Sequence, residues 1–198
     1  MLVTKKAPNF IGSAVLPNGT IKENFTLSEA MGPRGLVIFF WPKDFTFVCP
    51  SEIIAFDNKL SLFKERGFNI LGISTDSDYV HLAWRNTPVE KGGIGHVGFP
   101  LVSDIKKEIA RDYDILFDNS VALRGSFLLD KNQVIRHAVI NDMPLGRNVD
   151  EMLRMVDALI FFETHGEVCP ANWKKGEKGM KASPEGVASY LSENKSKL

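Results

Sequence analysis

Leu36-Val37-Ile38-Phe39-Phe40-Trp41-Pro42 is a short apolar run, rich in aromatic and β-branched residues, that ends at a proline. Such a run is typical of a strand buried on both faces of a sheet, and proline cannot continue that strand. Residues 50–66 then predict a helix, because apolar side chains recur at helical spacing at Ile53, Phe56, Leu60 and Phe63. Residues 68–74 predict a second buried strand, so the three segments form a right-handed parallel crossover unit.

The remaining segments extend this α/β pattern. We expect a helix over residues 77–86, a short helix over 106–111, and a hairpin that joins residues 126–129 to 134–139 through Asp130-Lys131-Asn132-Gln133. A capping box at 148–151 predicts a helix that turns four apolar residues inward, namely Met152, Val156, Leu159 and Ile160. The pattern indicates a thioredoxin-like α/β fold over residues 1–165, followed by an extended arm rich in Lys, Gly and Pro over residues 166–198.

The charge balance argues against two classes of partner. Lys and Arg together number 24, as do Asp and Glu, so no net field attracts nucleic acid or an anionic membrane surface. Residues 1–10 lack the apolar segment of a signal peptide, and we expect a cytoplasmic protein. The ending Ser196-Lys197-Leu198 spells a peroxisomal address, which we interpret as a chance match in a Lys/Ser-rich tail.

Both cysteines lie in Val-Cys-Pro tripeptides, at Cys49 and Cys169. Two thiols are too few for a disulfide-stapled secreted scaffold, and they lack the neighbouring Cys or His residues of a zinc site. The four histidines are dispersed, so we expect no metal and no bound cofactor; they are His81, His96, His137 and His165.

The sequence Gly93-Ile94-Gly95-His96-Val97-Gly98 matches a dinucleotide fingerprint, but it follows no strand and opens no helix, so we predict a loop.

Cys49 stands at the start of the predicted helix, where free N–H groups and the helix dipole favour a negatively charged sulfur. This position matters because an ordinary thiol is only about 3% ionised at neutral pH. The spacing of Thr46 and Cys49 places a hydroxyl within one turn of the thiol. The alternative is that Cys49 is a small buried hydrophobe and Thr46 a loop hydroxyl.

The longer pattern decides between these alternatives. Pro42-x-x-x-Thr46-x-x-Cys49, within Phe45-Thr46-Phe47-Val48-Cys49-Pro50-Ser51-Glu52, resembles the typical two-cysteine peroxiredoxins, a class that includes the bacterial alkyl hydroperoxide reductase C proteins. The resemblance continues through three further stretches, at residues 124–130, 141–147 and 165–173. It therefore implies a thioredoxin fold with peroxiredoxin insertions and a C-terminal arm.

The resemblance also assigns roles to individual residues. It implies that Cys49 is the peroxidatic cysteine and Cys169, on the arm, the resolving cysteine. Thr46 and Arg124 would bind peroxide, Pro42 would shield the pocket, and Glu52 and Arg147 would orient Arg124. From the residues alone, both arginines could be surface ion-pair partners, Glu52 a first-turn charge and Pro42 a strand terminator.

The implied activity is that of a thiol peroxidase that reduces hydrogen peroxide and organic hydroperoxides. Cys49 would form a sulfenic acid and then a disulfide with Cys169 of a second subunit, which a thioredoxin or a flavoprotein disulfide reductase would reduce. We accordingly expect a homodimer that assembles into a decamer, and local unwinding of residues 47–52 when the two sulfurs meet. The alternative function is a ring-forming holdase chaperone.

Overall fold

In the computed structural model, which describes residues 1–195, the apolar run forms β3, and all six of its residues are buried. The strands are β1 (Ile11–Val15), β2 (Ile21–Thr26), β3 (Gly35–Phe40), β4 (Phe68–Ser74), β5 (Leu101–Ser103), β6 (Leu116–Phe117), β7 (Val121–Ala122), β8 (Arg124–Asp130) and β9 (Ile135–Asn141). The helices are α1 (Leu27–Ala30), α2 (Cys49–Asn58), α3 (Leu60–Glu65), α4 (Asp78–Asn86), α5 (Glu108–Asp112), α6 (Val149–His165) and α7 (Pro184–Asn194). A 3₁₀ helix covers Val89–Lys91.

Seven of the strands form one sheet in the order β2-β1-β5-β4-β3-β8-β9. β3 pairs in parallel with β4, from Gly35 opposite Phe68 to Phe40 opposite Ile73, so the predicted parallel unit is confirmed. β8 pairs antiparallel with β3 on its other side and with β9, which confirms the predicted hairpin. The sheet therefore brings the end of β3 and the start of β8 close together, because antiparallel neighbours run in opposite directions.

The chain divides into two compact units, Met1–Val149 and a second that begins at Asp150. The hydrophobic core of the first unit includes a cluster of aromatic rings. Phe127 meets Tyr113 edge to face at 5.0 Å between ring centroids, and it meets Phe40 in the same way at 5.9 Å. Such edge-to-face contacts add to the stabilisation that comes from burying the rings.

The helix predicted over residues 50–66 is two helices. The break falls at Lys59, whose backbone angles of φ −108° and ψ 5° are not helical and whose N–H donates to the Phe56 carbonyl only three residues back. The side chains of Phe56 and Phe63, on either side of the break, are both buried. Apolar periodicity reports which side of a helix faces the core, and it does not detect a single residue that leaves the helical conformation.

The second unit corrects the prediction of an extended arm. α7 begins where the Ser183 hydroxyl accepts a hydrogen bond from the Gly186 N–H at 3.1 Å, with Pro184 in its first turn. A serine cap and a proline in the first turn are ordinary signals for the start of a helix. The sequence prediction missed this helix because it relied on the Lys- and Gly-rich composition of the segment. Within α6, Met152, Val156 and Leu159 are buried as predicted, whereas Ile160 is only half-buried.

Helices that could cross a membrane do not occur among residues 1–195. The C-terminal tripeptide Ser196-Lys197-Leu198, which we interpret from the sequence as a chance match to a peroxisomal address, lies outside the residues that the structure describes.

Replacing Phe127 by alanine should lower the free energy of unfolding by about 3–5 kcal/mol, because a large cavity would remain among rings that cannot close over it. Urea denaturation at fixed protein concentration measures this loss. The control is Val89→Ala, at a side chain that is 54% exposed, which should change the free energy by no more than about 0.5 kcal/mol. Equal losses in the two variants would contradict this account of the core.

Candidate active site

Cys49 is the first residue of α2 and its side chain is buried. The residue before the helix, Val48, has no side chain that could cap the free N–H groups of the first turn. The amino end of this ten-residue helix therefore presents its partial positive charge next to the sulfur.

Thr46 places its hydroxyl beside this sulfur, as the sequence spacing predicted. Its Oγ1 lies 3.0 Å from Cys49 Sγ and 2.9 Å from the carbonyl oxygen of Lys43. A hydroxyl carries one proton, so it donates to only one of these two acceptors at a time. When the hydroxyl donates to the Lys43 carbonyl, the lone pairs of Thr46 Oγ1 are free to accept a hydrogen bond next to the sulfur.

Arg124, the first residue of β8, brings a full positive charge to the same sulfur. Its Nη1 lies 3.4 Å from Cys49 Sγ and donates to Glu52 Oε2 at 2.6 Å, while its Nε donates to the Met143 carbonyl at 2.6 Å. The guanidinium is almost fully buried, so solvent screens its charge only weakly. The structure thus brings Arg124 to the cysteine from 75 residues away in the chain.

Glu52 joins Arg124 to a second buried arginine, Arg147. Arg147 donates to both Glu52 carboxylate oxygens, from Nε at 2.8 Å and from Nη2 at 2.9 Å, and its backbone N–H donates at 2.8 Å. Burial opposes ionisation of Glu52, but the hydrogen bonds and charge of Arg147, together with the charge of Arg124, hold the pKa of Glu52 below its ordinary value. Burial also lowers the pKa of the Arg147 guanidinium, although Glu52 opposes this shift.

Further contacts fix the position of Arg147. Its Nη1 donates to the Gly125 carbonyl at 2.6 Å and to Ser126 Oγ at 3.1 Å, and its guanidinium carbon lies 5.5 Å from the centre of the Phe39 ring. Charge-assisted hydrogen bonds of this kind are stronger than neutral ones. Arg147 is therefore held by the sheet and by Glu52 together.

A cavity of about 670 Å³ opens at these residues. Four of the residues singled out from the sequence line it, namely Pro42, Thr46, Cys49 and Arg124. The rest of the lining is mainly apolar and comes from the loop between β3 and α2, from β6 and β7 with their connecting turn, and from the turn after β9. It consists of Lys43, Phe47, Val48, Phe117, Asp118, Ser120, Val121, Met143 and Pro144. The cavity therefore combines a small charged end with a larger apolar wall.

A buried polar network, which sequence reasoning missed, anchors the loop that carries Thr46. Asp44 accepts hydrogen bonds from Trp41 Nε1 at 2.8 Å and lies 2.7 Å from Nδ1 of the buried His81, while its own N–H donates to Asp76 at 2.9 Å. Burial raises the pKa of Asp44, although the hydrogen bond and charge of His81 oppose the shift. Asp44 lies within the peroxiredoxin-like stretch, but no signal connected it with residues that lie more than 30 positions later in the chain.

The same loop contains a residue in an unusual backbone conformation. Phe45 has a φ of 53°, in the left-handed region that bulky residues rarely adopt, and its ring packs on Trp84 at 5.7 Å. Such a conformation persists only when neighbouring contacts hold it. The Asp44 network and the Trp84 contact provide that support.

Cys169 lies in the second compact unit, which begins at Asp150. Its thiol is free and half-buried, and Sγ lies 3.5 Å from the Ala158 carbonyl on α6. Burial raises the pKa of the Cys169 thiol, and the charge of Arg154 opposes that shift. Of the seven predicted site residues, the structure brings six together in the first unit, and Cys169 is the seventh.

Metal chemistry has no evident site in the described part of the chain. Residues 1–195 contain no group of three or more His, Cys, Asp and Glu side chains that could hold an ion.

Comparison with known proteins places this geometry in a family. The profile of the AhpC/TSA family matches residues 3–138, and the profile of the C-terminal domain of 1-Cys peroxiredoxin matches residues 158–193. The second match includes Cys169, so the chain has a second cysteine within a region that takes its name from one-cysteine proteins.

Three relatives illustrate the likeness. Alkyl hydroperoxide reductase C from Helicobacter pylori (strain J99 / ATCC 700824) is 66% identical over the whole of both chains. The mitochondrial thioredoxin-dependent peroxide reductase of Rattus norvegicus is 48% identical over 96% of this chain and 73% of that protein. The crystal structure of reduced 2-Cys peroxiredoxin from Plasmodium vivax superposes with a TM-score of 0.94 and 49% identity, over 97% of this chain and 99% of that one.

Replacing Glu52 by glutamine should lower the free energy of unfolding at pH 7 by about 3–5 kcal/mol, because the buried guanidinium groups would lose their countercharge. Since folding lowers the pKa of Glu52, its ionised form stabilises the fold above the ordinary value of 4.5, and this stabilisation is lost as the pH falls through the lowered value. The difference between the two proteins should therefore shrink in acid. Urea denaturation at pH 7 and below about pH 4 measures it.

The matched control is Glu23→Gln, which neutralises an exposed strand carboxylate and should leave the free energy of unfolding unchanged. A difference between wild type and Glu52→Gln that is independent of pH would contradict the role of ionised Glu52.

Proposed function

The chain belongs to the AhpC/TSA family of peroxiredoxins and is a thiol peroxidase, and from this premise we propose how its residues divide the reaction. Cys49 is the residue that peroxide oxidises. The observation that carries this assignment is the meeting of a helix amino end, the Thr46 hydroxyl and the Arg124 guanidinium at one sulfur that lines the cavity.

In the first step, the Cys49 thiolate attacks the terminal oxygen of the peroxide. A sulfur–oxygen bond forms and the oxygen–oxygen bond breaks, so sulfur loses two electrons and becomes a sulfenic acid. The departing hydroxide or alkoxide takes up a proton and leaves as water or alcohol. Positive charge at this position stabilises both the attacking thiolate and the departing oxyanion.

Arg124 and Thr46 orient the peroxide in this step. Arg124 Nη1 donates near the sulfur, and Thr46 Oγ1 accepts a hydrogen bond from the peroxide while its own O–H donates to the Lys43 carbonyl. Glu52 and Arg147 act through Arg124, because their ion pairs fix the plane of its guanidinium. Pro42 lines the cavity and limits access of water to the sulfur.

The size of the cavity supports activity toward organic hydroperoxides as well as hydrogen peroxide. A volume of about 670 Å³ far exceeds what hydrogen peroxide needs. Phe47, Phe117 and Val121 line the apolar wall, and an alkyl group packed against them would be removed from water.

In the second step, the Cys169 thiol of a second subunit attacks the Cys49 sulfenic acid. A sulfur–sulfur bond forms, the sulfur–oxygen bond breaks, and the oxygen leaves as water with the thiol proton. Because Cys49 is only 1% exposed, residues 47–52, which include the first turn of α2, have to unwind for the two sulfurs to meet.

A homodimer is supported by the edge of the sheet. β9 ends the strand order of the main sheet, beside β8. Its first residue, Ile135, exchanges backbone hydrogen bonds with Thr4 and Lys5, and Ile140 near its other end is 47% exposed. The outer side of an edge strand is a template for pairing with a second chain. The assembly of dimers into a decamer rests on the family resemblance.

The disulfide is returned to two thiols by a dithiol reductant, either a thioredoxin or a flavoprotein disulfide reductase. The name of the rat relative supports a thioredoxin-type reductant. The cytoplasmic location stays a prediction from the sequence. The relatives named above are all peroxide reductases or peroxiredoxins, so they give no support to the holdase alternative.

A non-reducing gel after one equivalent of peroxide tests the proposed disulfide. We expect a band at twice the chain mass of 22.1 kDa that disappears with dithiothreitol and that neither Cys49→Ser nor Cys169→Ser forms. Mixing the two variants should restore one bridge per dimer, because each supplies the sulfur that the other lacks. Bridging only within single chains would contradict the intersubunit step.

The hydroxyl of Thr46 is tested by a matched pair of substitutions. Thr46→Val keeps the shape of the side chain but removes the hydrogen-bonding oxygen, and we expect kcat/KM for peroxide to fall by about 10²–10³-fold. Thr46→Ser keeps the oxygen and should lose much less activity. Peroxide-consumption kinetics measure both, and equal losses in the two variants would exclude a role for the hydroxyl.

A further inference from the structure

One face of α6 holds the segment that contains Cys169. Arg154, Ala158 and Phe161 are four and seven residues apart, which places them on the same side of the helix. Arg154 Nη1 donates to the Trp173 carbonyl at 2.7 Å, the Ala158 carbonyl lies 3.5 Å from Cys169 Sγ, and the Phe161 ring lies 4.9 Å from the Trp173 ring. The helix face therefore contacts the segment at the cysteine and again at Trp173.

Contacts within the segment close it into a loop around Cys169. Val168 and Met180 exchange two backbone hydrogen bonds, at 2.9 and 3.0 Å. Trp173, in the middle of the loop, is 2% exposed, and its Nε1 donates to the Glu177 carbonyl at 3.1 Å. Because Trp173 is the buried centre of the loop, the bond from Arg154 to its carbonyl fixes the loop, and Cys169 with it, on α6.

Arg154 also acts on the thiol through its charge. Burial raises the pKa of Cys169, and the positive charge of Arg154 opposes this rise. The thiol in turn contributes to raising the pKa of Arg154, after the larger effect of the hydrogen bond to Glu151. Glu151 accepts from Arg154 Nε and Nη2, both at 2.7 Å, and so holds the guanidinium while partly neutralising it.

Other charged groups lie on the elements around the thiol. Besides Arg154 and Glu151 on α6, Asp157 of the same helix lies 4.0 Å from Lys175 of the loop. Glu167 precedes the cysteine, and its carboxylate lies against Gly179. Among these groups, Arg154 is the cation whose charge opposes the rise in the pKa of Cys169.

We propose that Arg154 is a positioning residue for the second step, in which its guanidinium holds the Cys169 loop on α6 and supplies positive charge as the sulfur becomes a thiolate. This inference rests on the proposed role of Cys169 as the thiol that attacks the Cys49 sulfenic acid. In this step the sulfur–oxygen bond breaks, the sulfenic hydroxyl leaves with the thiol proton as water, and a sulfur–sulfur bond forms.

Rapid quenching with an alkylating reagent, followed by intact-mass analysis, tests the proposal because it separates sulfenic acid formation from disulfide formation. In Arg154→Ala the first step should keep its wild-type rate. The second step should slow by about three- to tenfold at pH 7, because the thiolate fraction falls more than its nucleophilicity rises. The pH midpoint of the second step should also move upward.

Two further variants separate charge from simple support. Arg154→Lys keeps the charge and should restore most of the rate and the pH midpoint. Glu151→Gln leaves Arg154 without its neutralising partner, so the pH midpoint should move downward, opposite to the shift in Arg154→Ala. Lys178→Ala is the control, because it removes an exposed cation of the same segment that pairs with Glu193 at 3.7 Å, and it should change neither step.

The proposal is overturned if Arg154→Ala retains the wild-type rate and pH midpoint of the second step. It is equally overturned if Glu151→Gln and Arg154→Ala shift the midpoint in the same direction, as loss of simple support would cause. Cys169→Ser, run in parallel, reports on the proposed function: disulfide that still forms without Cys169 would contradict that function, whereas normal resolution in Arg154→Ala alone contradicts only the role of Arg154.

Discussion

A buried carboxylate between two buried arginines is the constraint on which the active site depends. Glu52 lies in the first turn of α2, Arg124 begins β8, and Arg147 lies between β9 and α6. Without the carboxylate, two guanidinium groups would repel each other in an environment that screens charge weakly. With it, three distant parts of the chain share one set of ion pairs, and the guanidinium beside Cys49 is held in one orientation.

The arrangement also explains why the sulfur is at a helix end and not in a loop. The amino end of α2 supplies fixed dipoles that need no side chain, and Arg124 adds a full charge 3.4 Å from the sulfur. Neither contribution requires a metal ion or a neighbouring thiol. The rest of the fold serves to bring these two sources of positive charge to the same atom, since the antiparallel pairing of β3 with β8 places the start of β8 beside the end of β3.

The sequence predicted the regular parts of this fold because each had a local signal. The apolar run of β3, the turn between β8 and β9 and the capping signals before α6 each specify structure within a few residues. The contacts of Asp44 with Asp76 and His81 and the pairing of Glu52 with both arginines could not be derived in this way, because the partners lie 32 to 95 residues apart. Only the family resemblance connected Arg124 and Arg147 with Cys49, and it gave no information on Asp44.

The break at Lys59 has a consequence for how far a change at the active site travels. α3 packs on β4 as a separate helix through the fully buried Phe63, whose ring lies 6.3 Å from that of Phe56 in α2. The rearrangement proposed to start at Cys49 would meet the end of α2 after ten residues, where Lys59 leaves the helical conformation. The opening proposed for residues 47–52 therefore lies within one short helix whose far end is anchored to the sheet, because Phe56 stacks on Phe39 of β3 at 4.3 Å, and a local opening that spares Phe56 would leave this anchor in place.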